Sequence, residues 1–384
     1  MLKKMALTLL LTTMVFGTNM AVHPLNKALA AEAAGATPAQ AAKVTSAQTA
    51  GATALAEQTA DQLYPVEVGG KYGFINGKGK VVIEAVYDGY GYSGQPGGTV
   101  YVEDLAAKKQ YYFDSAGSKL FEYKLRAAGI LYSDRALYTA QVQTADGATS
   151  TRYGYIDNQG KVAIQPLYHR AFPFSEGLAR VNLGKASGYI NTKGELVIPY
   201  RYSATSDFSE GMAAVALTAG GKYGYIDATG KLRISPRFVY ATPFSDGAAA
   251  VYVNGKYGYI DKNGNYLLKP QFSMAQPFSE GLAFVERNGV TFYINKKGAK
   301  VIQGFTAGGL FKGGLAPASE GQRYGYINTS GRFVIKSQLY WADSFNGELA
   351  VISYLVPDSR EEIMGYMNRS GMIVWPQAAA LMKQ

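Results

Sequence analysis

The chain has 384 residues, a formal net charge of +10 at pH 7, two histidines and no cysteine. The missing cysteine excludes disulfides, cysteine nucleophiles and a lipidated N-terminal cysteine. With so few histidines, a histidine-rich zinc site is excluded as well. Stability must therefore come from burial and hydrogen bonding alone.

Residues 1–30 have the pattern of a secretory signal. Lys3 and Lys4 form a basic start, residues 5–16 are apolar, and Ala28 and Ala30 fit a small-x-small cleavage site. A membrane anchor would need about 20 apolar residues, and Gly17 interrupts the run too early. We predict a bacterial protein that is secreted or cell-wall-associated, with no transmembrane anchor in the mature chain.

The mature chain would keep a positive charge. Residues 1–30 contain three lysines and no acidic residue, so their removal leaves 35 basic and 28 acidic residues, a net charge of +7. Residues 31–63 are rich in alanine, threonine and glutamine and carry no aromatic residue. They predict a flexible leader, which is either a tether or a segment without a role. We predict a folded domain at 64–376 and a tail at 377–384.

The folded domain contains a repeated phrase. Tyr153-Gly154-Tyr155-Ile156-Asp157 recurs twice almost unchanged, and weaker copies lie on both sides. A period of 20 to 50 residues indicates stacked units of one structure. The positions equivalent to Gly154 mark nine units: Gly73, Tyr111, Gly154, Gly188, Gly224, Gly258, Phe292, Gly325 and Gly365.

Two further elements lie between these phrases. A Phe-Ser-Glu-Gly-Leu-Ala phrase begins at Phe174, Phe208, Phe244 and Phe278, and degraded copies span residues 311–316 and 345–350. An apolar-x-Pro-x-aromatic element precedes it in several units, as in residues 164–168. On these residues the chain resembles the bacterial WG-repeat (tryptophan–glycine) family over about residues 66–376. The motif tryptophan is replaced by tyrosine, for example at Tyr72 and Tyr153.

Each unit has three strand signals, separated by turns. Residues 282–285 are a short apolar run, residues 256–260 alternate, and residues 265–268 follow a turn that begins at Asp261 and ends at Gly264. We therefore predict an all-β protein of tandem repeats, each about 34 residues long and folded as an antiparallel three-stranded meander. Nine units exceed the four to eight blades usual for propellers. The prediction is an open twisted β array, with a closed propeller-like ring as the alternative.

Candidate catalytic residues are few. His169 is the only histidine of the mature chain, and it lies at a variable position between repeats. The recurring acids have structural explanations. Asp157 and its equivalents begin turns, where asparagine serves elsewhere, and Glu176 and its equivalents are expected to cap connecting turns, with Lys312 and Asn346 interrupting the series. We predict no catalytic or metal site, no cofactor and no enzymatic activity. A carboxylate-dependent carbohydrate-active enzyme is the alternative.

The tyrosines are the candidate binding residues. A tyrosine ring suits both a packed sheet and a flat surface that stacks sugars. The candidates are Tyr153, Tyr155, Tyr189, Tyr223, Tyr225, Tyr257, Tyr259, Tyr324 and Tyr326, with packing as the default interpretation because the positions recur. The predicted function is an envelope-associated binding or scaffold protein. Its partner would be an anionic cell-wall polymer or a glycan, or alternatively another envelope protein, and not nucleic acid.

Overall fold

The computed structural model describes residues 62–95, 97–124, 126–143, 147–355 and 362–376, and within these ranges every element is a β-strand. The predicted signal peptide, all but the last two residues of the predicted leader, and the predicted tail lie outside the described residues. No helix of the described residues is long and apolar enough to cross a membrane. The first strand begins at Leu63, one residue before the predicted start of the folded domain.

The strands form nine antiparallel sheets in chain order, which we call blades 1 to 9. Blade 1 contains β1 (Leu63–Val68), β2 (Lys71–Asn76) and β3 (Val81–Tyr87). Blade 2 contains β4 (Gly89–Tyr92), β5 (Val100–Asp104), β6 (Lys109–Phe113) and β7 (Lys119–Lys124). Blade 3 contains β8 (Ala128–Tyr132), β9 (Arg135–Gln143), β10 (Thr149–Asp157) and β11 (Val162–Tyr168).

The next three blades share one strand pattern. Blade 4 contains β12 (Arg170–Ala171), β13 (Leu178–Leu183), β14 (Ala186–Asn191) and β15 (Leu196–Tyr202). Blade 5 contains β16 (Ala204–Thr205), β17 (Met212–Ala216), β18 (Tyr223–Asp227) and β19 (Leu232–Phe238). Blade 6 contains β20 (Tyr240–Ala241), β21 (Ala249–Val253), β22 (Lys256–Ile260) and β23 (Tyr266–Phe272).

The last three blades continue this pattern. Blade 7 contains β24 (Met274–Ala275), β25 (Leu282–Arg287), β26 (Val290–Asn295) and β27 (Lys300–Gln303). Blade 8 contains β28 (Ala307–Gly308), β29 (Leu315–Ser319), β30 (Tyr324–Asn328) and β31 (Phe333–Leu339). Blade 9 contains β32 (Trp341–Ala342), β33 (Leu349–Leu355), β34 (Glu362–Asn368) and β35 (Ile373–Trp375).

Within the described residues, eight of the nine blades have four strands, so the prediction of three-stranded units was wrong for those eight. In blades 4 to 9 the strand that the sequence did not reveal is only two residues long. It lies in the connector between units, where Ala275 pairs with Val285 in blade 7, for example. A two-residue strand is too short to show an alternating pattern.

The blades form a closed ring, because the first blade packs against the last. The rings of Tyr64 and Tyr366 lie 5.5 Å apart, and the Tyr366 hydroxyl donates a hydrogen bond to the carbonyl oxygen of Pro65 at 2.9 Å. Leu349 and Tyr366 of blade 9 share one buried cluster with Ile75 of blade 1. The preferred prediction of an open array was therefore wrong, and the alternative is confirmed as a nine-bladed β-propeller.

Each blade buries both of its faces, one against each neighbour. Between blades 5 and 6, Tyr225 and Phe238 of the earlier blade pack on Val251 and Ile260 of the later one. The next junction repeats this arrangement one unit further along. Small side chains such as Ala249 allow the sheets to approach closely. The residues that recur from unit to unit are thus the residues that pack at the junctions between blades.

The first strands of neighbouring blades lie close to the axis of the ring. Hydrogen bonds join the chain at or just after these strands: Gln276 of blade 7 donates to the carbonyl oxygen of Gly308, and Ser344 of blade 9 donates to that of Leu310. Sheets arranged radially around a channel approach each other most closely at their inner edges. The fourth strands therefore lie at the rim, where Leu196 and Leu232 are exposed.

Candidate functional site

The predicted binding tyrosines fall into two groups. Five of them are fully buried with an exposed fraction of 0%: Tyr155, Tyr189, Tyr225, Tyr259 and Tyr326. Each hydroxyl donates to a backbone carbonyl of the next blade at 2.6 to 2.8 Å, as Tyr225 does to Thr242. Burial raises the pKa of all five above the ordinary value of 10.0. Rings in this position hold the junctions together and are closed to a ligand.

The other four predicted tyrosines are half-buried and lie toward the opposite end of the same strands: Tyr153, Tyr223, Tyr257 and Tyr324. Two of them, Tyr223 of blade 5 and Tyr257 of blade 6, belong to an aromatic cluster on these two blades. The rings of Tyr223 and Tyr240 are 6.3 Å apart, those of Tyr252 and Tyr257 are 4.7 Å apart, and Tyr240 pairs with Tyr252 between β20 and β21. Tyr240 is 45% exposed, so this tyrosine cluster reaches the surface.

A groove lies on the same blade beside this cluster. It encloses about 390 Å³ and is lined by Val253, Asn254, Lys256, Tyr266, Lys269 and Pro270. Tyr266 is 39% exposed, and the guanidinium of Arg237 from blade 5 lies 5.8 Å from its ring. Neither groove lysine forms a salt bridge with any residue that the structure describes. The groove thus offers two lysines without a salt bridge and a partly exposed aromatic ring.

Sequence reasoning missed Tyr240, Tyr252, Tyr266 and the two groove lysines. The predicted candidates were tyrosines at positions that recur in every regular unit, and those positions serve packing between blades. Tyr240 and Tyr252 instead depart from the repeat, since the equivalent pairs include Ala204 with Ala216 and Met274 with Glu286. Blade 9 also has an aromatic residue at the first of these positions, where Trp341 pairs with Ser353, so the available signal was the occurrence of two aromatic residues in one pair.

The recurring acids stabilise turns between neighbouring blades. Glu176 of blade 4 accepts hydrogen bonds from the backbone N–H groups of Glu210 and Gly211 at 2.7 and 2.9 Å. Glu280 caps the turn of blade 8 in the same way. Glu210 and Asp246 each cap one N–H of the next turn and also pair with a lysine, Lys262 at 3.2 Å and Lys296 at 2.6 Å respectively.

The prediction that Lys312 and Asn346 interrupt the series at the acidic position was wrong. The bridge between Lys312 and Leu315 is equivalent to that between Ser175 and Leu178. Lys312 and Asn346 therefore stand at the serine position, and glycines, including Gly313, occupy the acidic position. In place of a carboxylate, Arg369 donates hydrogen bonds to the carbonyl oxygens of Lys312 and Gly313 at this junction.

The remaining candidate groups have local structural partners. His169 is exposed, and its Nδ1 atom accepts a hydrogen bond from the N–H of Gly184 at 3.0 Å. Asp157 accepts from the backbone of Gln159 and Lys161, as expected for a residue that begins a turn. Within the described ranges, no group of three or more histidine or acidic side chains is placed to hold a metal ion.

Comparison with known proteins identifies the repeat. The model of the WG containing repeat matches residues 72–93, 153–185, 188–218, 223–257, 257–290 and 324–354. No curated protein matches the sequence.

Solved structures that are similar to this chain include apo AztD from Citrobacter koseri, with 8% identity, TM-score 0.40, and coverage of 81% of this chain and 92% of that one. Hsv2 from Kluyveromyces lactis has 9% identity, TM-score 0.35, and coverage of 72% and 96%. Virginiamycin B lyase from Staphylococcus aureus has 15% identity, TM-score 0.30, and coverage of 68% and 90%. These distant similarities carry no argument about function. The six matched segments show that the chain belongs to the WG-repeat family.

Proposed function

We propose that this propeller is a non-catalytic binding protein of the bacterial envelope or its surroundings, and that it binds an anionic cell-wall polymer or acidic glycan. The groove of blade 6 carries the proposal, because Lys256 and Lys269 line it together with Tyr266, which is exposed. Ammonium groups attract phosphate or carboxylate groups along a polymer, and a tyrosine face packs against the apolar face of a sugar.

The adjacent tyrosine cluster extends this surface. Tyr240 presents its ring to solvent beside Tyr252 and Tyr257. A chain of sugars longer than the groove would meet these rings next. The net charge of +7 predicted for the mature chain adds a general attraction to anionic polymers, which salt weakens. The signal sequence predicted at residues 1–30 would export the chain to the compartment that holds such polymers.

The non-catalytic part of the proposal rests on the acidic side chains that recur. Glu176 and Glu280 cap turns of the next blade, and Glu210 and Asp246 are paired with lysines. A glycosidase needs two carboxyl groups that face one substrate. These carboxylates face the protein's own backbone instead.

The test is binding of residues 31–384 to a poly(glycerol phosphate), a polyuronate and a neutral glucan, at low and high salt. We expect binding to the two anionic polymers only, and weaker binding at high salt. Lys256→Ala together with Lys269→Ala should weaken it by about threefold to tenfold, because each exposed ion pair contributes up to about 1 kcal/mol. Tyr266→Ala should weaken it by about twofold to tenfold.

Lys161→Ala with Lys297→Ala is the matched control, since both lysines are exposed and the change in charge is the same. Equal losses of affinity in the two double variants would show that only the overall charge attracts the polymer. That result would refute binding in the groove. Equal binding of neutral and anionic polymers, or capture of one dominant protein in place of any polymer, would refute the proposed ligand class.

A further inference from the structure

The two ends of the ring differ in how their turns pack. At one end, which we call the hairpin end, the second strand of each four-stranded blade is joined to the third, as at residues 183–186. At the opposite end, the turn between the third and fourth strands packs on the preceding blade, so that a Cβ atom on Gly230 would lie 3.2 Å from Ile198. A Cβ atom on Gly184 or Gly289, at the hairpin end, would have no atom of the described residues within 4 Å. The hairpins therefore project freely from the ring.

Exposed aliphatic side chains stand at these hairpins. Turn residues are usually polar. Five of the four-stranded blades nevertheless have an exposed aliphatic side chain in this hairpin or at its base: Leu105, Leu183, Leu217, Val290 and Leu355. The four-residue turns at the opposite end, such as residues 191–194 and 227–230, contain no large apolar residue. Because the hairpin side chains are exposed, packing within the ring does not account for their apolar character.

Charge is also divided between the two ends. Residues 149–281, from β10 to the turn before β25, contain nine acidic residues, and all nine lie in the connectors and turns of the opposite end: Asp157, Glu176, Glu195, Asp207, Glu210, Asp227, Asp246, Asp261 and Glu280. The hairpins of the same segment carry Lys185, Lys222 and Lys256. None of these lysines forms a salt bridge with a described residue. The hairpin end of blades 4 to 6 is therefore positively charged.

We propose that the hairpin end docks on a membrane rich in anionic lipid, with Leu183 and Leu217 inserted at the interface and Lys185 and Lys222 against the lipid phosphates. Binding at a membrane interface combines burial of apolar side chains with attraction to anionic headgroups. Separate leucines beside lysines, all at one end of a ring, suit such a surface. A protein partner would instead favour one contiguous apolar patch. The inference goes beyond the polymer binding proposed above, because these four residues do not line the groove of blade 6.

Sedimentation of residues 31–384 with lipid vesicles tests the proposal. We expect binding to vesicles of phosphatidylglycerol and phosphatidylcholine, and about tenfold weaker binding to phosphatidylcholine alone. Leu183→Ser with Leu217→Ser should weaken binding to the anionic vesicles by about tenfold or more, because these side chains would no longer leave water favourably. Lys185→Ala with Lys222→Ala should weaken it by about fivefold or more.

Leu196→Ser with Leu232→Ser is the matched control, because these leucines are 47% and 49% exposed but begin fourth strands at the opposite end. It should leave vesicle binding unchanged. Equal losses in the two leucine double variants, or equal binding to neutral and anionic vesicles, would overturn the proposal. If the hairpin end instead joins two copies of the chain, Leu183→Ser with Leu217→Ser will abolish a dimer that does not bind vesicles, and the proposal fails. The same variant should still bind anionic polymers, so that this failure is distinguishable from failure of the groove.

A label at a single site gives an independent measurement, because the chain has no cysteine of its own. An environment-sensitive fluorophore on Leu217→Cys should shift its emission to the blue on anionic vesicles, and brominated lipid should quench it. The same fluorophore on Leu232→Cys should show neither effect. Equal responses at the two positions, or no response at Leu217→Cys, would contradict docking through the hairpin end.

Discussion

At the scale of single residues, the two tyrosines of each phrase have different roles. Tyr257 and Tyr259 are two apart in one strand, so the sequence predicts that they share a face. They do share it, but Tyr259 lies inside the junction and Tyr257 lies near the end of the strand. The alternation of side chains along a strand cannot distinguish the buried tyrosine from the half-buried one. How deeply each ring is buried depends on the neighbouring blade. The sequence supported packing as the default, and the structure bears this out for Tyr259 and its equivalents.

The buried tyrosines predict an alkaline transition. Burial raises the folded pKa of Tyr259 and its equivalents above the unfolded value of 10.0. Their contribution to stability is therefore complete below about pH 10 and is lost as the pH rises toward the folded pKa. In ultraviolet titrations we expect an early phase from exposed tyrosines, and a steep late phase that coincides with unfolding.

One substitution assigns the late phase of this titration. Tyr259→Phe should reduce only the late phase. Titration of all tyrosines in one early phase while circular dichroism still shows a folded chain would contradict the assignment.

At the scale of strands and turns, the repeated glycine is explained by a bulge. Tyr257 pairs with Phe272 and Tyr259 pairs with Leu268, so three residues of β23 face Gly258 alone. A Cβ atom on Gly258 would lie 2.6 Å from the carbonyl oxygen of Leu268. The sequence predicted a close backbone approach here, and this is confirmed. Phe292 is allowed in blade 7 because β26 and β27 pair there without this bulge.

Gly258→Ala should therefore destabilise the propeller. The added methyl group meets backbone atoms of β23 that cannot move without breaking the bulge, and we expect a loss of about 2–3 kcal/mol in the free energy of unfolding. Urea unfolding followed by circular dichroism measures it. Gly321→Ala is the control, because nothing lies within 4 Å of its Cβ position. Equal unfolding midpoints for the two variants would show that the bulge tolerates a side chain.

At the scale of the whole molecule, the sequence specified the number of units but not the closure. The repeat period indicates nine units whether the chain forms a closed ring or an open array. Closure depends on contacts between residues 282 and 301 positions apart, namely Tyr64 with Asn346 and Tyr366 with Pro65. No local pattern encodes the angle between neighbouring sheets. The groove of blade 6 was hidden for a related reason, since Lys256 of β22 lines one groove with Tyr266 and Lys269 of β23 only when the two strands are folded together.

Closure makes a prediction for Ile75, which would face solvent at the end of an open array. In the ring it is fully buried against blade 9, as Ile260 is buried against blade 5. Ile75→Ala and Ile260→Ala should therefore lower the free energy of unfolding by similar amounts, about 2–4 kcal/mol each. Thermal melts and urea unfolding measure both. Val86→Ala, at a position that is 62% exposed, should have little effect. An Ile75→Ala variant as stable as Val86→Ala would mean that the ring is open in solution.

The similarity of the junctions between blades also bears on how such a chain can change over evolutionary time. Blades 5 and 6, for example, each present a tyrosine-bearing face in one direction and an isoleucine-bearing face in the other. A blade added by recombination within the gene would pack against compatible faces on both sides. After the loss of a blade, the two blades that become neighbours would also have compatible faces. The number of blades is therefore free to drift between relatives, while residues at the departures from the repeat, such as Tyr240, are free to specialise.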